Sequence, residues 1–141
     1  MKEQSKLFIV TENGALVPRY VRCYDNGGKT VDRYTVVFTG RNAGGMYLGM
    51  SATPTHPQGF AQHGEARNKW DRIDYPKSAH LGKRVSWLML PPECRAVAWG
   101  DYEELNDCHV SPAASGEDCN LFHVKRGDII LATVRARWAA K

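Results

Sequence analysis

The chain has 141 residues, 43% of them hydrophobic and 24% charged, with a formal net charge of +4. That length and balance fit one domain with a buried core and exclude a chain too polar to fold. No apolar run approaches the roughly 20 residues needed to cross a bilayer as a helix, so no membrane partner is expected.

The N-terminal "MKEQSKLFIV" has four consecutive apolar residues after its charges, too few for the core of a signal peptide, and a cytoplasmic protein is expected. Its "KLFIV", Lys6 to Val10, reads as a first strand, followed by an Asn13-Gly14 turn signal. "RYVRCY", Arg19 to Tyr24, alternates and meets "DNGG", whose residues accept positive φ at little cost. "TVDRYTVVF", Thr30 to Phe38, returns as the second arm of a hairpin. "GRNAGG" turns again into "MYLGM", Met46 to Met50, another strand. Links this short cannot hold helical crossovers, so the pairing is antiparallel. Ser51 to Ala79 shows no sustained period and reads as a long loop, which in a compact domain is either functional or misassigned.

Pro91, Pro92 and Glu93 suit the first turn of a helix, where a missing N–H costs nothing. The spacing predicts that helix over Pro92–Leu105, with Cys94, Val97, Ala98, Asp101 and Leu105 on its inner face, Tyr102 flanking it and Gly100 weakening its middle. "VSPAASGEDC", Val110 to Cys119, reads as a loop. "NLFHV", a turn over Lys125 to Asp128 and "IILATVRARW" complete the chain. In the last strand Ile130, Ala132, Val134, Ala136 and Trp138 alternate against Leu131, Thr133, Arg135 and Arg137, which puts two arginines outward. The sum is one α+β domain over residues 1–141, a mostly antiparallel sheet with one principal helix packed on it.

Charge is unevenly placed. Residues 1–90 carry thirteen Lys/Arg against seven Asp/Glu, and residues 91–141 carry six against eight. A basic front and an acidic back can orient a partner, but the excess is too mild to demand nucleic acid. The nucleic-acid alternative rests on Arg19, Arg22, Arg33, Arg135 and Arg137, with Tyr20, Tyr24, Tyr34, Tyr47 and Trp70 as stacking platforms; such aromatics more often pack a small sheet.

"THPQGFAQHGE", Thr55 to Glu65, is the stretch most open to a chemical reading. His56, His63 and Glu65 form a conceivable two-histidine, one-carboxylate set for a divalent metal or for acid–base work. The set lacks the HExxH spacing of a helical zinc site. Against it stands a structural loop, with Pro54, Pro57, Gly59 and Gly64 as turn residues and Phe60 as a plug onto the core. A third reading is a recognition surface of His56, Phe60, His63, Glu65, Trp70 and Arg72, with Trp70 and Arg72 as anchors, the residue types that dominate interfaces.

Cys23, Cys94, Cys108 and Cys119 form no CxxC pair, and the C-H-x9-C-x3-H run ending at His123 is not a usual zinc pattern. "KRGD", Lys125 to Asp128, holds an integrin-like tripeptide better read as a turn. "GRNAGG" lacks the ending of a phosphate loop, and no GxSxG elbow is present.

"DRYTVVFTG", "YLGMSATPTHPQGFAQHGEA" and "HLGKRVSWLMLPPECRAVAWGDYEELND" together resemble an uncharacterised family of small bacteriophage and plasmid proteins carrying a "HPQGFxQHGE"-type loop. The resemblance covers about residues 31–107 and leaves residues 108–141 as a C-terminal extension with a final strand. It implies a mobile-element context in a host cytoplasm, and no catalytic residue. The leading expectation is an accessory protein that binds and modulates a host macromolecule, a host protein before nucleic acid, with a defence component as one such target, no cofactor, and enzymatic activity left open but disfavoured. The alternatives are a metal-assisted hydrolase using His56, His63 and Glu65, which alone requires a divalent metal, and a basic β-sheet nucleic-acid binder.

Overall fold

Two short hairpins and a run of β-branched residues build the front of the molecule. The computed structural model describes residues 6–40, 46–53, 55, 57, 59–65, 81–113 and 120–137, with residues 63–65 described in backbone only. Strands β1 (Phe8–Val10) and β2 (Leu16–Pro18) pair antiparallel across a turn in which Gly14 takes φ +84°. The predicted hairpin follows as β3 (Val21–Asp25) and β4 (Tyr34–Phe38), with Cys23 opposite Val36. With β5 (Met46–Met50), β6 (Ala61–Glu65) and β7 (Lys83–Val85) they form a five-stranded antiparallel sheet in the order β6-β5-β4-β3-β7.

β4 is central and buried along its whole length. Tyr34, Val36 and Phe38 belong to the main core, while Val37 joins a smaller cluster with Tyr24 and Leu81 on the opposite face. The β3–β4 connection is closed by its own polar groups. Asn26 is 4% exposed and accepts from the Gly28 and Lys29 amides, while Asp25 accepts from the Gly27 amide and from Arg33.

A 3-10 turn (Trp87–Met89) leads into helix α1 (Pro92–Leu105), which occupies the predicted residues. Its inner face differs from the expected one. Cys94, Ala98, Trp99 and Tyr102 are buried, whereas Val97, Asp101 and Leu105 are half-buried at the flanks. The i, i+4, i+8 row through Tyr102 wins because its large aromatic, with Trp99, meets Phe8 at ring distances of 5.3 and 5.1 Å.

The helix ends in a Schellman arrangement. Asp107 adopts φ +50°, the Cys108 amide donates to Glu103 O and the Asp107 amide donates to Glu104 O. β8 (His109–Pro112), β9 (Leu121–Arg126) and β10 (Ile129–Arg135) then form a second antiparallel sheet in the order β10-β9-β8. One core cluster joins both sheets, the first hairpin and α1, from Phe8 and Leu48 to Val110, Phe122 and Val134. No helix among the described residues is long and apolar enough to cross a membrane.

Two stretches read as loops contain strands. β6 lies within Ser51–Ala79, and β8 runs from His109 into Val110–Cys119. Both are edge strands, where polar residues and a terminal proline are tolerated because one side of the ladder needs no partner. Their apolar alternation is correspondingly weak.

Candidate interaction surface

The residues singled out in the sequence meet different fates. His56, Trp70, Arg72 and Cys119 lie outside the described residues. His63 and Glu65 lie on edge strand β6, in register with Leu48 and Met46. Phe60 is half-buried against the main core, and its carbonyl accepts from the Ser51 amide at 2.8 Å. It is the plug that the structural reading of this loop requires, and its ring is engaged in packing. Gly59, at φ +104°, supplies the left-handed turn just before it.

The five arginines fall in several places, with Arg135 and Arg137 sharing one. Arg19 follows β2, Arg22 lies on β3, Arg33 precedes β4, and Arg135 and Arg137 lie at the end of the second sheet. Arg33 is already paired with Asp25 at 2.8 Å, and its hydrogen bond holds the Asp25 carboxyl below the usual carboxylate range. Arg135 and Arg137 are exposed, as their alternation requires.

Burial pushes the Cys23 thiol up to about 12 and the Cys94 and Cys108 thiols up to about 11. At neutral pH all three are protonated and poor nucleophiles. Cys108 is turned inward whereas the adjacent His109 is exposed, so the Cys-His pair does not converge on one point. Among the described residues, no group of three His, Cys, Asp or Glu is placed to hold a metal.

A feature not singled out in the sequence is the tip of the β9–β10 hairpin. Gly127, at φ +60°, and Asp128 form a two-residue turn with glycine first, the pattern of a type II′ hairpin. Directly after it Ile129, Ile130 and Leu131 are 66%, 50% and 42% exposed. The register shifts between Ile130 and Ala132, so Leu131 is an extra residue in its strand. This bulge corrects the expected alternation. Ala132, Val134 and Ala136 face inward as predicted, but Ile130 pairs with Lys125, in phase with His123 and Thr133.

The hairpin is anchored beside its turn. Arg126 donates through Nε to Asp107 O at 2.9 Å and through Nη2 to Asn106 O at 3.1 Å. A guanidinium thereby satisfies carbonyls at the C-terminus of α1, where the helix dipole favours positive charge. The arginine of "KRGD" is therefore a helix cap supplied from a neighbouring strand. What the turn displays is a run of three large aliphatic side chains. The sequence signal was present: three consecutive large aliphatics after a two-residue turn cannot all be buried by a strand covered on one face.

No protein-family model, curated protein or solved structure matches this chain.

Proposed function

We propose that this protein is a binding module of the mobile-element accessory type, engaging a host protein through the tip of its β9–β10 hairpin. The observation that carries this reading is the contiguous exposure of Ile129, Ile130 and Leu131 on a hairpin whose first strand Arg126 ties to the end of α1. Large aliphatics left in water beside a formed core are a cost that a docking surface explains. Fully burying such a side chain contributes about 1.5–3 kcal/mol, so three partly exposed ones supply several kcal/mol in a partner's apolar pocket. Pre-anchoring lowers the ordering cost of that event.

The test is capture of host protein from nuclease-treated lysate by the tagged chain, compared with a variant carrying Ile129→Ser, Ile130→Ser and Leu131→Ser. The variant should keep its unfolding transition and lose the captured protein. Equal capture by the folded variant removes the hairpin from the interface. Capture abolished by nuclease in the parent chain favours the nucleic-acid alternative. Trp70→Ala with Arg72→Ala, run in parallel, tests the second expected contact region, and weakened capture would join it to the interface.

A further inference from the structure

A second surface lies on the far side of the five-stranded sheet from the β5–β6 edge. Where the β1–β2 ribbon meets β3 and β7, a cleft of about 270 Å³ opens. Val21, Cys23 and Val85 line it from the inner sheet face, and Ile9, Val17 and Leu88 line it from the ribbon and the 3-10 turn. Arg19, Arg84 and Ser86 line the same cleft and are exposed. The Arg84 charge is close enough to act on the Cys23 thiol, which places positive potential over the apolar lining. Among the described residues no carboxylate forms an ion pair with Arg19 or Arg84. Ser86, which caps the 3-10 turn by position, makes no capping bond with its side chain.

An apolar recess with a few polar groups at its edge is the ordinary design of a small-ligand site. Here those polar groups are two guanidiniums and the hydroxyls of Ser86 and Thr11, the latter already accepting from the Ala15 amide, all able to donate and the guanidiniums unable to accept. Guanidinium matches a carboxylate in shape as well as charge. The volume sits just below the roughly 300–1,000 Å³ common for ligand sites, so the occupant is small. At about 30 Å³ per water-sized group the recess holds about nine such groups. We infer that this cleft binds a medium-chain aliphatic carboxylate, its chain against Val21, Cys23 and Val85 and its headgroup between Arg19 and Arg84. No covalent step is involved, since the thiol in the lining stays protonated.

The probe is octanoate, titrated into the full chain and followed by amide chemical shifts, with octan-1-ol as the uncharged isostere. A single saturable site should appear, with the largest shifts at Val21, Cys23, Val85 and Ser86, and octanoate should bind more tightly than the alcohol. Arg19→Gln with Arg84→Gln, both on exposed side chains, should weaken octanoate about tenfold or more, because hydrogen bonds to charged groups are strong, and should weaken octan-1-ol much less. Shifts centred elsewhere, no saturation, or equal octanoate affinity in the double variant would each overturn the assignment. Equal weakening of both ligands would also overturn it, since loss of an ionic contact must weaken the carboxylate far more than the alcohol.

Discussion

Tyr102→Phe isolates one hydroxyl that joins three parts of the chain. The Tyr102 side chain is 1% exposed, and its Oη donates to Leu7 O and accepts from the Tyr20 amide at 3.2 Å. Phenylalanine keeps the edge-on contact with Phe8 and so removes the polar link alone. Leu7 O still accepts from the Arg19 amide at 2.9 Å, which leaves the Tyr20 amide as the group stranded by the change. One lost hydrogen bond contributes about 1 kcal/mol and a stranded part-buried donor about 1 more, so the expected loss is about 2 kcal/mol. With an unfolding entropy of about 2.1 cal/mol/K per residue, that is a fall in Tm of about 7 °C for a chain of this size. Urea unfolding followed by tryptophan fluorescence should show a lower midpoint with an unchanged slope. A loss below about 0.5 kcal/mol would refute the reasoning, because it would mean that water replaces the hydroxyl at no cost.

Two glycines should respond in opposite senses to alanine. At Gly82, φ is +80° and an added Cβ would lie 2.4 Å from Asn26 Cα and 2.4 Å from Asp25 O, so Gly82→Ala should destabilise by about 3 kcal/mol or more in the same unfolding assay. At Gly100 an added Cβ meets nothing within 4 Å, and Gly100→Ala should stabilise by about 0.5–1 kcal/mol through helix propensity. Burial raises the Tyr102 hydroxyl to about 12 from 10.0, and the Cys23, Cys94 and Cys108 thiols to about 12, 11 and 11 from 9.0. All four favour the protonated form in the fold, so their contribution is intact below pH 9 and is lost as pH rises through 9 to 12; urea midpoints across that range should fall, less steeply in Cys23→Ala. Asp25 has the opposite sign: its carboxyl is held below 3.8 by Arg33, so its contribution is present above that value and disappears on acidification, and Asp25→Asn should flatten the acid limb of the same profile.

The interior elements were legible because their patterns are dense. β3, β4 and β5 alternate or run β-branched between glycine-rich turns, and the Pro91-Pro92-Glu93 start fixes α1 at Pro92. β6, β7 and β8 were not legible because edge strands need little apolar surface: "AQHGE" and "KRV" carry no strong period, and their partners supply the register. The inner face of α1 was misjudged by a fraction of a turn because Phe8, far away in sequence, draws Trp99 inward. The cleft depends on bringing residues 9–23 beside residues 84–88, a proximity that no local pattern encodes. The hairpin tip was half legible: the turn and strand were read, but the bulge at Leu131 that shifts their phase was not.

Arg126 gives the hairpin and the helix end a common fate. Its guanidinium sits at the turn beside Ile129 yet holds the two carbonyls just past the end of α1, at Asn106 and Asp107. Fraying of the final helical turn and loosening of the hairpin tip are then one local opening rather than two. Any partner that clamps the tip must slow hydrogen exchange at the amides of Asn106, Asp107 and Cys108, which it never touches. Occupancy of an apolar knob on one sheet would thus be recorded, residue by residue, as quieter motion at the end of a helix.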